Sequence, residues 1–188
     1  APLASSTLLR DLDVGENQLT DAAVVGTFTD LQRFMAGDNE ISDVSFLTGL
    51  AALRTLELYS NPITDVSPVA TLTGLVALDV SDLQLSNLAF LSGFSSLERL
   101  WAWGNDLADA NFVEDLTSLS HTLVLQANYI ADLAPLVNNT AIGDGTVVDV
   151  RWNCLTFGAG SQAQADVDAL LARGALVQFE EQKTEFCF

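Results

Sequence analysis

Hydrophobic residues recur along this chain with a long and regular period. Written from each leading residue, the units are "LRDLDVGENQLTD" from Leu9, "LQRFMAGDNEISD" from Leu31, "LRTLELYSNPITD" from Leu53, "LVALDVSDLQLSN" from Leu75 and "LERLWAWGNDLAD" from Leu97, a spacing of 22 residues. The register then slips slightly into "SHTLVLQANYIAD" from Ser120 and "GTVVDVRWNCLTF" from Gly145, which makes seven aligned units. Near the start of each unit apolar and polar residues alternate, which predicts a short strand with one face buried. Leu12, Phe34, Leu56, Leu78, Leu100, Leu123 and Val148 form one apolar column, and Leu19, Ile41, Ile63, Leu85, Leu107, Ile130 and Leu155 a second. A single unit cannot bury such a face, whereas stacked units share a continuous core.

Two polar columns accompany the apolar ones. Asn17, Asn39, Asn61, Asn105, Asn128 and Asn153 follow the strands. An amide there can both donate and accept, satisfying turn backbone that would otherwise be buried without partners. Leu83 interrupts the column and is read as a local defect filled by apolar packing. Asp21, Asp43, Asp65, Asp109 and Asp132, with Asn87 in the fourth unit, stand just ahead of segments such as Val66-Ser67-Pro68. Short acidic side chains at that place cap the N–H groups that open a 3₁₀ or helical turn. Their recurrence once per unit assigns them to structure and not to a metal.

The pattern L-x-x-L-x-L-x-x-N-x-I/L-x-D covers nearly the whole chain, and in this it resembles the leucine-rich repeat family in the 22-residue form of bacterial internalin-type surface proteins. The resemblance implies an α/β solenoid. A curved parallel β-sheet lines its concave face, mostly 3₁₀ or extended segments return along the convex side, and a helix-plus-strand cap ends it. The units would divide into a partial upstream repeat at 1–8, seven repeats over 9–155 and a C-terminal cap over 156–188. Fold resemblance alone does not specify a function.

The ends of the chain refine this outline. "APLASSTLL" aligns with the second half of a repeat, and the chain opens at Ala1 without an initiator Met or a signal peptide, so removal of an upstream segment is expected. With no polar cap legible at that end, the chain is expected to be a fragment of a longer protein, or to have its missing cap replaced by contacts with a neighbour, a second copy being one candidate. In "SQAQADVDALLARG", Ser161 opens a helix, Val167, Leu170 and Leu171 share one face, and Gly174 closes it. The strand "ALVQF" follows. Cys154 and Cys187 lie in the last fifth of the chain, where a disulfide would tie the final strand turn to the tail; two buried free thiols are the alternative. The loop "LVNNTAIGDG" departs most from the repeat and carries the sequon Asn138-Asn139-Thr140, to which no role is assigned.

Composition narrows the function. The 188 residues are 49% hydrophobic, enough for an ordinary domain core. The formal charge of −18, from 25 acidic and 7 basic residues, argues against nucleic acid and anionic membranes, which are bound through Lys and Arg. No apolar run approaches the roughly 20 residues of a membrane span. His121 is the sole histidine, and neither a nucleophile motif nor a glycine-rich phosphate loop is present. No catalytic residue, metal site or cofactor is therefore assigned. Carboxylate pairs such as Asp11 and Asp13 would lie on an open sheet that gives little desolvation to separate their pKa values.

The tryptophans carry the functional signal. In "LERLWAWGND", Trp101 and Trp103 flank Ala102, which takes the inward position held by Val14, Leu58, Val80 and Leu125 elsewhere, so both indoles point outward from the concave sheet. Trp152 is placed on the margin of the same face. Exposed indoles are typical of binding hot spots, although indoles can also pack on neighbouring strands to stabilise a sheet. The candidate binding face comprises Trp101, Trp103, Trp152, Tyr59, Met35, Arg99, Arg151, Glu57, Asp79 and Gln126, acidic at one end and aromatic with two arginines at the other. A protein ligand with a basic patch beside an apolar one would match it, in a secreted or cell-surface protein. A glycan, with calcium held by the acidic end, is the second candidate, and a passive spacer the third.

Overall fold

The computed structural model describes residues 8–183 and Cys187. Eight three-residue strands are present: β1 (Asp11–Asp13), β2 (Arg33–Met35), β3 (Thr55–Glu57), β4 (Ala77–Asp79), β5 (Arg99–Trp101), β6 (Thr122–Val124), β7 (Val147–Asp149) and β8 (Leu176–Gln178). They form one sheet in sequence order, and every neighbouring pair is parallel. Equivalent residues of successive units pair directly, Leu12 with Phe34, Phe34 with Leu56 and Leu78 with Leu100. The repeat period thus becomes the sheet register, because slipping a strand by one residue would turn its buried residue outward. The expected partial repeat at 1–8 falls almost wholly outside the described residues.

The returning half of each unit is short and helical. The 3₁₀ turns Ala23–Thr27, Ser45–Leu47, Ser67–Thr71, Ala89–Leu91 and Asn111–Asp115 serve the first five units, and a single α-helical turn, α1 (Ala134–Asn138), serves the sixth. Each is opened by the predicted polar residue. Asp21, Asp43, Asp65, Asp109 and Asp132 accept the N–H two residues ahead at 2.7–3.0 Å, and Asn87 does the same at 3.2 Å. These are Asx turns, in which the carboxylate replaces the missing partner of the turn's first N–H. Between turns and sheet lies one core of Leu, Ile, Val and Phe, with Phe28, Phe34 and Phe94 fully buried.

The asparagine column works as a ladder. Nδ2 of Asn128 donates to the carbonyls of Ala102 in the preceding unit and Leu125 in its own, while its Oδ1 accepts from the N–H of Leu107. Asn39, Asn61, Asn105 and Asn153 repeat this arrangement. All of these amides are buried. The last rung is one the repeat alignment does not show: Gln182 donates to Val150 and Phe179 and accepts from the Asn153 N–H, carrying the ladder to β8 with a longer side chain.

At the interruption, Leu83 is buried as expected, and the backbone adjusts. The Ile63 N–H, which would have donated to an asparagine at 83, folds back onto the Asn61 carbonyl at 2.8 Å. Asn105 Oδ1 takes both the Leu83 and Leu85 N–H groups. Apolar packing and a tighter turn therefore share the repair.

The C-terminal elements close the stack. In α2 (Gln162–Ala172), Ser161 caps the Gln164 N–H, and Gly174 turns the chain at φ +88°. Ala163, Val167 and Leu170 are buried. Leu171 departs from its expected place and is 45% exposed, because it sits roughly a quarter turn away from that stripe. Arg173 bonds the carbonyls of Asn139 and Val137, and the buried Asn139 amide donates to Val113 and Leu116, so the irregular loop is plugged from within. A disulfide joins Cys154 to Cys187 across 33 positions, with Cα atoms 5.5 Å apart.

Replacing Asn128 by Ala should cost about 3 kcal/mol, since it strands several buried backbone groups at roughly 1–3 kcal/mol each. Leu83→Asn should change stability by less than about 1 kcal/mol, because regained ladder bonds offset lost apolar burial. Urea denaturation of both variants checks this contrast.

Candidate recognition face

Three rows of outward side chains cross the strands. The first runs Asp11, Arg33, Thr55, Ala77, Arg99, Thr122, Val147, and the second Asp13, Met35, Glu57, Asp79, Trp101, Val124, Asp149. The third, two residues further along each unit, runs Gly15, Gly37, Tyr59, Ser81, Trp103, Gln126, Arg151. Inter-strand bonding continues to this row, as in Gly104 N–H to the Gln126 carbonyl at 2.9 Å. Nine of the ten sequence-selected residues therefore share one sheet face.

Trp101 and Trp103 point outward around a fully buried Ala102. Trp101 is half-buried between Asp79 and Val124 in its row, and Trp103 is 38% exposed. Among the described residues neither indole enters an aromatic pair or receives a cation, the ring pairs being Phe34–Phe46, Phe90–Phe94 and Phe157–Phe179. Their faces are not consumed by packing against other rings.

Trp152 stands at the margin of this face. It lies in none of the three rows but one residue beyond, in the column of Glu16, Asp38, Ser60, Asp82, Gly104 and Ala127, which turn the chain off the sheet at positive φ. Its φ of 59° puts a bulky side chain in the left-handed region that glycine at 104 occupies without cost, and the indole is 47% exposed. It flanks the face at the rim.

The charges are arranged differently from the simple gradient expected. Arg151 grips Asp149 with two bonds, Nε to Oδ1 at 3.0 Å and Nη2 to Oδ2 at 2.6 Å, which buries the carboxylate and raises the guanidinium pKa further. Arg99 lies 3.5 Å from Glu98, which also approaches His121, and Arg33 lies 3.5 Å from Asp11. Glu57 has no ion pair among the described residues. Burial pushes its pKa up, the nearby Asp79 and Asp13 add to that, and Arg33 opposes it. Burial likewise raises Asp79, against the bond it accepts from the Ser81 N–H. No group of three or more acidic, His or Cys side chains among the described residues is arranged to hold a metal ion.

Sequence reading missed a hollow at the N-terminal end of this face. Asp13, Gly15, Glu16, Met35, Gly37, Glu57 and Tyr59 line about 310 Å³. The Tyr59 ring lies directly over Gly37, where an added Cβ would come within 2.1 Å of Cε1. The available signal was the pair of glycines in the third row beside a tyrosine.

Solved structures with this architecture are numerous. An internalin (inlF) of Listeria monocytogenes superposes with a TM-score of 0.73 at 23% identity, over 97% of this chain and 57% of that one. A leucine-rich repeat protein of Leptospira interrogans gives 0.80 at 19% identity, over 94% and 44%. This chain has the leucine-rich repeat fold. The leucine-rich repeat ectodomain of a plant membrane receptor kinase from Arabidopsis thaliana, solved in complex with Casparian strip integrity factor 2, gives 0.63 at 17% identity, over 96% and 23%. The chain thus spans between about a quarter and three fifths of these leucine-rich repeat proteins. No protein-family model and no curated protein matches the sequence.

The carboxylates of this repeat array divide by sign. Asp65 has a lowered pKa, chiefly through the Ser67 backbone N–H, so its contribution to stability is present above the ordinary carboxylate range and lost as pH falls through it. Glu57 and Asp79 have raised values, so they favour folding in acid and lose that contribution as pH rises through the same range. At neutral pH Asp65→Ala should lower the melting temperature and Glu57→Gln should raise it, with both converging on wild type in acid. Ala127→Gly, in the same column at φ 58°, should stabilise by about 1 kcal/mol through relief of the left-handed conformation with only a methyl group given up, measured by chemical denaturation.

Proposed function

We propose that this repeat array is a non-enzymatic recognition module that binds a protein partner across its open sheet face, as part of a secreted or cell-surface protein. The observation that carries this reading is the pair Trp101 and Trp103, presented outward on adjacent alternate positions and free of aromatic or cation partners among the described residues. Large aromatic anchors of this kind supply much of the energy of protein interfaces. Tyr59, Met35, Glu57, Asp79, Arg99, Gln126 and Arg151 surround them on the same sheet, with Trp152 at its rim. The Cys154–Cys187 disulfide fits an oxidising compartment. A plant receptor-kinase ectodomain of the same fold, solved in complex with Casparian strip integrity factor 2, supports a partner of this kind, and no helix among the described residues is long and apolar enough to cross a membrane.

Wild-type protein and a Trp101→Ala, Trp103→Ala double variant, matched in melting temperature, are exposed to solubilised surface proteins and to a glycan array. Retention of a protein by wild type, with at least about a hundredfold weaker binding by the variant, is the expected outcome, since two anchors at roughly 1–2 kcal/mol or more each are removed. Retention of a glycan in the same tryptophan-dependent way would replace the protein reading. Identical behaviour of the two proteins would leave a spacer.

A further inference from the structure

The charges on the sheet face leave an imbalance confined to one end. At the C-terminal end Arg151 is already taken by Asp149, and Arg99 by Glu98. At the other end Arg33 is held by Asp11 and by the Met35 sulfur, at 3.5 and 3.4 Å, while Glu16 and Glu57 have no cation within ion-pair distance among the described residues and the Asp13 carboxylate accepts only the Gly15 N–H. What the face leaves unneutralised is therefore negative, and it surrounds a hollow of about 310 Å³.

The hollow has a specific form. Glycines at 15 and 37 leave its floor without side chains, in the row where the other units carry Tyr59, Ser81, Trp103, Gln126 and Arg151. The Tyr59 ring lies down over Gly37 because no Cβ is there to prevent it, and it supplies a π face as one wall. Met35 stands between Asp13 and Glu57 in the neighbouring row. Carboxylates, an aromatic ring and a thioether around one hollow suit a cation carried on an apolar stem. Burial raises the pKa of Tyr59 as well as Glu57, the surrounding carboxylates add to the shift in both, and Arg33 opposes it at Glu57.

Resting on the recognition reading above, we propose that this hollow receives an arginine or lysine side chain from a basic segment of the partner protein, whose apolar neighbours reach Trp103 and Trp101 further along the face. Charge complementarity selects this occupant. A second copy of the chain is a poor source, because it brings 7 basic residues against 25 acidic ones and copies repel one another. A bare metal ion is also disfavoured, since these carboxylates are not arranged around a common point. Arginine fits best, because its planar guanidinium can stack on Tyr59 while its N–H groups reach Glu57 and Asp13.

The test uses the whole chain labelled with ¹⁵N and titrated with acetyl-Ala-Arg-Ala-amide, with the citrulline peptide as its uncharged isostere. Saturable shifts of the Gly15, Gly37 and Tyr59 amides are expected with arginine and not with citrulline. Glu57→Gln should weaken binding at least tenfold, and the exposed Glu40→Gln should leave it unchanged. Unsaturable shifts scattered over the acidic surface, equal in wild type and Glu57→Gln, would overturn the proposal. Any captured partner separates the two readings. If its binding needs the tryptophans but is indifferent to Glu57→Gln, the hollow is not part of the interface and recognition stands. If the arginine peptide saturates the hollow while no partner depends on the tryptophans, the cation site stands and the tryptophan reading falls.

Discussion

The turns that leave the sheet in this protein bring backbone groups into an apolar core, and the asparagine ladder is what makes that tolerable. A three-residue strand pairs too little backbone to hold a unit in place. The amide of Asn128 bridges carbonyls of two successive units and an N–H of the one before, so it couples neighbours through the same atoms that satisfy its own turn. The Asp side chains do the corresponding work at the far side, where each opens a 3₁₀ or α-helical turn. Stability in such an array arises between units, and the loss of one rung is felt by its neighbours.

The fourth unit shows how much variation this arrangement absorbs. Leu83 removes an amide yet remains buried, and the Ile63 N–H finds a carbonyl two residues back. The eighth unit meets the same constraint with Gln182, whose extra methylene lets it reach from a chain that has left the repeat pattern. In both places hydrogen bonding is preserved and sequence identity is not. Pattern matching reports only the second.

A scaffold held together from inside leaves its sheet face free to vary, and the face divides into two halves. One half presents indoles that no other ring among the described residues covers; the other presents carboxylates around a glycine-floored hollow. Glu57 and Asp79 are held in a less solvated state than exposed carboxylates, with raised pKa values, while Asp43 and Asp65 on the opposite side are lowered by the N–H groups they cap. Structural and surface carboxylates thus respond to pH in opposite directions within one acidic protein.

The repeat period, the inward columns, the ladder and the capping aspartates could all be read from the chain, because each is a local requirement repeated in every unit. The outward direction of Trp101 and Trp103 followed from the same logic, since alternate strand positions share a face. What depended on a particular neighbour could not be read that way. Trp152 stands at the margin where it was expected, but its left-handed backbone, in a column that elsewhere holds Glu, Asp, Ser, Gly or Ala, was not legible. Leu171 lost its place in the core to helix phase, and Arg151 lost its free charge to Asp149 two residues away. The hollow beside Tyr59 depends on Gly37 of the preceding unit, whose missing side chain lets the ring lie down there. Sequence determined the lattice, since identical units impose identical contacts; tertiary structure decided the face, where unlike side chains from different units meet and their separations are set by the stacking.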